Sequence, residues 1–252
     1  MNMRAVIAAL AALGALSALV PASHANAAEI RVIGSPGVRE ISSRLVPEFE
    51  KATGHKVSII WDGVNNVAKR VSAGETADLV FLPAPEIGAL IKEGKLVGES
   101  RVVLATSGVG VAIRAGAPKI DASSSDGIRM ALLAAKTIAY SAGPSGAHMA
   151  ALIQKWGIAD KVKLAAVPTG TAVGEVIARG DADIGFQQIS ELLPVKGIDY
   201  LGPLPADIQE VTVFAAALHK AAGSTDAARA LLRFMTAPEA VPVIRKAGME
   251  PG

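Results

Sequence analysis

Short β-rich runs alternate with helical stretches along residues 28–252, and Gly, Ser and Pro fill most of the strand-to-helix junctions. This alternation constrains the fold more than any single motif. A strand that passes through a helix before the next strand returns the chain parallel to itself and builds an α/β sheet covered by helices. Ile30–Ile33 runs into Gly34-Ser35-Pro36-Gly37, and a helical pattern through Lys51 carries Ile41, Leu45, Val46 and Phe49 on one face. Val57–Trp61 reads as the second strand, Asp62-Gly63 as a turn and Val64–Ser72 as a helix. Ala77–Leu82 reads as a buried strand, and Pro83-Ala84-Pro85 opens a helix over Glu86–Lys92.

Ser100–Arg114 is a long β-rich stretch interrupted at Ser107-Gly108. A helix over Ser124–Ala135 has Ser123 or Ser124 as its cap. The strand Thr137–Tyr140 then meets the loop Ser141–Gly146 and a helix to Trp156. Strands at Val162–Ala166 and Asp183–Gln187 flank a helix near Ala172–Ala178. Val211–Leu218 is a late strand, and helices at Thr225–Thr236 and Pro238–Lys246 finish the pattern. The layout of strand, small-residue loop and helix at Ile30–Phe49 recurs at Thr137–Trp156. It predicts two α/β lobes with mostly parallel sheets. Each lobe would present its loops at the carboxyl ends of the strands, where open α/β sheets bind ligands.

Ahead of this region, Arg4, the apolar run Ala5–Val20 and the small residues Ala25-Asn26-Ala27 form a secretory signal pattern. A mature chain from Ala28, exported to a bacterial periplasm, is the expectation. No later run approaches the 18 or so uncharged apolar residues of a membrane-spanning helix. The formal charge is +2 with basic and acidic residues interspersed, so no basic patch invites nucleic acid. The chain has no Cys, which excludes disulfides, thiolate metal sites and Cys nucleophiles. His55, His148 and His219 lie far apart in sequence and lack metal-ligand spacing.

Two loops could hold an anion: Gly34-Ser35-Pro36-Gly37 and Gly143-Pro144-Ser145-Gly146. Backbone N–H groups at a helix start favour negative charge, and Gly lets the ligand approach them. The same residue types also fill ordinary strand–helix loops. Thr169-Gly170-Thr171 is a third donor-rich turn or a simple cap. Gln187-Gln188 is either a ligand contact or a polar strand end, and Asp62, Asn65 and Asn66 suit helix capping. Arg39 can meet a carboxylate or point to water, and His148 reads as a packed or surface helix residue. A Gly-x-Ser-x-Gly elbow, a Walker loop and a dinucleotide fingerprint are all missing, so no cofactor is expected.

The order of motifs resembles type II periplasmic solute-binding proteins, in particular the molybdate-binding-protein-like group, which includes aconitate-isomerase-like members. The resemblance spans the mature chain. It is carried by the Gly34-Ser35 loop, PEFEKATGHKV (Pro47–Val57), AGETADLVFLP (Ala73–Pro83), GDADIGFQQISEL (Gly180–Leu192), GPLPADIQ (Gly202–Gln209) and RALLRFMTAPEAVPVIRKAGMEP (Arg229–Pro251). It implies an interlobe ligand cleft, with residues 28–111 plus 213–252 as lobe one and 112–212 as lobe two. The crossings would lie near Ala112–Gly116 and Ile208–Thr212. Ser35 matches the group's first oxyanion-binding Ser, whereas Gly63-Val64-Asn65 replaces the second. Gln187 or Gln188 falls near the group's late Tyr, and Val173 near a backbone donor.

The ligand residues expected from loops and resemblance together are Ser35, Pro36, Gly63, Val64, Asn65, Gly143, Ser145, Gly146, Thr171, Val173, Gln187 and Gln188. The expected function is a periplasmic substrate-binding protein of an ABC-type transporter, monomeric, delivering a small anion to a membrane permease. The anion would be an oxyanion such as molybdate or an organic carboxylate. The alternative is a periplasmic isomerase acting on aconitate, with His148, Asp62 or Glu40 as candidates for moving a proton.

Overall fold

The computed structural model describes residues 27–168 and 171–252. The signal pattern at residues 1–26 and the Thr169-Gly170 part of the third turn lie outside the described residues. β1 (Glu29–Gly34) passes through a 3-10 turn (Pro36–Val38) into α1 (Arg39–Thr53), followed by β2 (Lys56–Trp61), α2 (Val64–Ser72), β3 (Leu79–Pro83) and α3 (Ala84–Lys92). β4 (Val102–Arg114) leads to α4 (Ser125–Ala134), β5 (Ile138–Tyr140), α5 (Pro144–Lys155), β6 (Leu164–Ala166) and α6 (Val173–Arg179). Then come β7 (Ile184–Gln188), α7 (Ile189–Leu192), β8 (Ile198–Pro203), β9 (Val211–Leu218), α8 (Thr225–Met235), α9 (Val241–Lys246) and β10 (Glu250–Pro251).

The elements form because the periodicity agrees with burial. Ile41, Leu45, Val46 and Phe49 are all buried along α1, which stops at Gly54 in the left-handed conformation (φ 77°). Ser124 caps α4 by accepting a hydrogen bond from the Gly127 N–H at 3.0 Å. β3 is buried on both faces, as its unbroken apolar run requires.

The sheet runs β2-β1-β3-β9-β4-β7-β5-β6, with β8 and β10 also paired to β4. It is mixed rather than mostly parallel, which corrects the sequence expectation. The outer groups β2-β1-β3 and β7-β5-β6 are parallel. The central pairs β3-β9, β9-β4 and β4-β7 are antiparallel. The physical reason is connectivity: the chain leaves the first half of the sheet along β4 and returns to it along β9, so these two strands must oppose each other. β8, absent from the sequence reading, pairs with β4 through an irregular register.

Ser107-Gly108 does not break β4. There the strand changes partners, from β9 up to Gly108 to β7 from Val109 onward. Gln209 fastens the switch: its Oε1 accepts from the Val109 N–H at 2.8 Å and its Nε2 donates to the Val109 carbonyl at 3.1 Å. Separate apolar clusters pack on either side of it. One is built around Phe49, Phe81 and Phe214, the other around Ile138, Ile153 and Phe186.

Candidate functional site

The parallel strands β1, β2, β5 and β7 all point their carboxyl ends at one pocket, together with the segment after β6. It is lined by Ser35, Pro36 and Gly37 after β1, by Gly63, Val64, Asn65 and Asn66 after β2, and by Ser141–Ser145 after β5. Val167, Pro168 and Thr171 follow β6, and Gln187, Gln188 and Glu191 come from the end of β7 and from α7. Phe214 completes the wall, and its ring packs so closely on Gly37 that a Cβ there would lie 2.2 Å from Phe214 Cζ. Most of the sequence-predicted residues meet here. Gly146 and Val173 do not line the pocket. Gly146 packs against the Ser141 carbonyl, and the Val173 N–H is already engaged, donating to Gln187 Oε1 at 2.9 Å.

Among the described residues the pocket offers donors and carries no cation. α2 and α5 begin at Gly63 and Gly143, and neither cap residue supplies a side-chain bond. Inside the helices the first ladder bonds are from Val67 N–H to Gly63 O and from Ala147 N–H to Gly143 O. The N–H groups ahead of them are the unpaired donors of a helix start, on the positive end of its dipole. Ser35 Oγ is buried without a hydrogen-bond partner among the described residues. Ser145 Oγ lies 3.1 Å from Ser141 Oγ, which accepts from the Gly143 N–H. Gln188 Nε2 donates to Thr212 Oγ1 at 2.8 Å while its Oε1 has no partner among the described residues. Because a Thr hydroxyl both donates and accepts, it can bond either amide atom of Gln188, and the other then faces the pocket.

A buried hydroxyl without a protein partner is free to hydrogen-bond a water or a ligand atom. Ser35→Ala is therefore expected to leave the ligand-free protein as stable as before, or slightly more so. If the pocket takes an anion against Ser35, affinity should fall by about 10-fold, the usual worth of one hydrogen bond to a charged group. Parallel thermal melts and titration calorimetry check both halves of this expectation.

Glu191 is the functional candidate that sequence reasoning missed. The residue keeps some accessible surface, but its carboxyl is buried, and burial pushes its pKa up to about 7. The Gln187 amide, donating to Glu191 Oε1 at 2.8 Å, and the Arg39 charge pull in the opposite direction and are outweighed. The acid–base candidates read from sequence are otherwise engaged. His148 Nε2 bonds the Ile208 carbonyl at 2.7 Å. Asp62 is held below the usual carboxylate range chiefly by the Asn66 amide, with the Gly63 N–H and Arg70 adding to it against burial. Glu40 is bonded by Arg44 Nε at 2.8 Å. Arg39 places its guanidinium carbon 5.5 Å from the Trp61 ring centroid. Among the described residues no group of three His, Asp or Glu is placed to hold a metal ion, and no helix is long and apolar enough to cross a membrane.

The mixed α/β sheet with a donor-lined pocket at its strand ends is the fold of periplasmic binding proteins. The chain belongs to the bacterial extracellular solute-binding protein family, which it matches over residues 30–250. It is 34% identical over 230 residues to an aconitate isomerase from Pseudomonas sp, covering 88% of this chain and 87% of that protein. Its fold superposes on the periplasmic molybdate-binding protein of Azotobacter vinelandii with a TM-score of 0.75 at 22% identity, covering 88% and 99% of the two chains. It also superposes on the sulfate-binding protein SubI of Mycobacterium tuberculosis H37Rv, with a TM-score of 0.72 at 20% identity over 89% and 87%.

Proposed function

We propose that the protein is an isomerase of a small unsaturated polycarboxylate of the aconitate type, with the family's ligand pocket as its active site. The observation that carries this reading is Glu191. A carboxyl with a pKa of about 7 on the wall of an anion-binding pocket can take and return a proton near neutrality. A pure binding site has no need of such a group. The similarity to an aconitate isomerase across most of both chains supports the same reading.

The chemistry moves one proton. A base takes a proton from the methylene next to the carbon–carbon double bond, and the electron pair forms a new double bond one carbon along. The former double-bond carbon then accepts a proton, and the product differs in which side its carboxylates occupy. No atom is gained or lost. Ionised Glu191 takes the first proton, and its protonated form gives one back. Negative charge developing on the neighbouring carboxylate meets Ser35, Ser145 and the N–H groups of α2 and α5. The Gln187 amide holds one oxygen of Glu191 and leaves the other for the substrate.

The pH dependence has a definite sign. The folded pKa of Glu191 lies above its ordinary value of 4.5, so the folded protein binds the proton more tightly. Its contribution to stability is present below pH 4.5 and is lost as pH rises through about 7. Relative to Glu191→Gln, the wild type should therefore lose stability between those limits, by on the order of 2–3 kcal/mol. Activity should rise with pH through the same region, because the ionised form is the base. Arg39, in the adjoining cavity, is the charged group that pulls against the burial of Glu191, and Lys196, Glu40 and Glu175 line the same cavity. Melting curves and kcat/KM from pH 4 to 9 test both statements.

We also read the architecture as two lobes, residues 28–111 plus 213–252 and residues 112–212, joined by β4 and by the segment entering β9. The change of partners at Gly108 and Val109 supports that division. The second functional reading is a periplasmic, monomeric substrate-binding protein of an ABC-type transporter for a small oxyanion. Its support is the cation-free donor set of the pocket, which suits a single anion. The deciding experiment is incubation of purified protein, residues 28–252, with trans-aconitate, following formation of the cis isomer by NMR. Turnover establishes the isomerase. Its absence, together with tight binding of molybdate or tungstate, favours the oxyanion-binding reading.

A further inference from the structure

A second cavity opens beside the central pocket and shares Pro36, Thr171 and Glu191 with it. Glu191 therefore stands at the boundary between the two. Their charges differ. Among the described residues no Arg or Lys lines the central pocket, whereas Arg39 and Lys196 both line its neighbour. The carboxylates of the second cavity are Glu40, Glu175 and the shared Glu191. Glu40 is bonded by Arg44, so the two cancel. Arg39 and Lys196 have no ion-pair partner among the described residues. Arg39 is exposed and lies over Trp61, its guanidinium carbon 5.5 Å from the ring centroid. Glu175 and, when ionised, Glu191 balance these two cations in number, but neither forms an ion pair with them, so both cations remain available to a ligand carboxylate.

We propose that this flanking cavity is a second carboxylate subsite, in which Arg39 and Lys196 receive the distal carboxylate of a polycarboxylate whose first carboxylate lies among the neutral donors of the central pocket. The inference rests on the isomerase reading for the identity of the substrate, and it adds the feature that selects it. A ligand spanning both cavities passes Glu191 with the carbons between its carboxylates, which are the carbons whose protons must move. A tetrahedral oxyanion fills only the central pocket and gains nothing from Arg39 or Lys196. The flanking cavity is thus a device for choosing polyanions over single anions.

The test uses tricarballylate, the saturated tricarboxylate, which has no double bond to shift. Calorimetry compares the wild type with Arg39→Gln, Lys196→Gln and the double variant. Acetate, measured by displacement, serves as the one-carboxylate probe. Both substituted residues are exposed, and unchanged melting temperatures would certify the fold. The double variant should bind tricarballylate about 10-fold or more weakly, the effect expected of lost charge-assisted hydrogen bonds. Acetate should change by less than about 2-fold, and the single variants should fall between. An unchanged tricarballylate affinity, an equal loss for acetate, or a wild type that does not bind tricarballylate would each overturn the subsite. The two readings fail separately. A wild type that interconverts aconitate isomers alongside an unaffected double variant overturns the subsite alone. Cation-dependent tricarballylate binding without isomerisation overturns the isomerase and leaves the subsite standing.

Discussion

Glu191→Gln is expected to lower kcat for cis/trans-aconitate interconversion by about 10²–10⁴-fold, the range typical of losing a general acid–base. KM should change little. Gln keeps the shape of Glu and a hydrogen-bonding oxygen, so the contact from Gln187 Nε2 persists and the pocket wall stays in place. What is lost is a group that both accepts and releases a proton near neutrality. The split between kcat and KM separates this role from a structural one, because a collapsed pocket would raise KM and lower the melting temperature. Exchange of solvent deuterium into the substrate methylene should slow in parallel. A variant that retains wild-type turnover would remove Glu191 from the chemistry and return the pocket to a binding role.

Why Glu191 escapes a reading of the sequence is instructive. In Ile189-Ser190-Glu191-Leu192 it looks like an ordinary polar helix residue, and local pattern carries no information on how deeply its carboxyl lies. Its depth comes from β7 and α7 packing beside the loop after β1, where Ser190 Oγ donates to the Gly37 carbonyl at 2.8 Å across 153 positions of chain. The one local signal is the four-residue spacing from Gln187, which places a strand-end amide in reach of the carboxyl. The loops were legible for the opposite reason. Ser35, Gly63, Gly143 and Ser145 stand where a strand stops and a helix starts, and that geometry is fixed by neighbours in sequence. The strands of the parallel groups were legible in the same way. The antiparallel centre was not, because β4 and β9 pair across about a hundred residues, and register over that separation leaves no local trace.

Gly146 shows the same distinction within one loop and yields the largest expected stability effect. The sequence offers Gly143 and Gly146 as equivalent ligand-approach glycines, but their surroundings differ. A Cβ at position 146 would lie 1.7 Å from the Ser141 carbonyl oxygen and 2.9 Å from Tyr140 Cδ2. At position 143 the nearest atom is Ser141 Oγ at 3.7 Å, an ordinary contact. Gly146 is what lets α5 start against the end of β5, so that its donors reach the pocket. The obstacle is backbone and cannot rotate away, so relief requires moving the helix or the loop. Gly146→Ala should therefore cost about 3 kcal/mol or more, beyond most overpacking substitutions. That corresponds to a melting temperature lower by about 6–12 °C for a chain of this size. Gly143→Ala should stay within about 0.5 kcal/mol of wild type. Where Gly146→Ala still folds, it should bind ligand more weakly than Gly143→Ala, because the displaced helix start carries the donors with it. Equal melting temperatures for the two variants would mean that α5 does not press on the Ser141 carbonyl, and the account of how its N-terminus is aimed would fall with that contact.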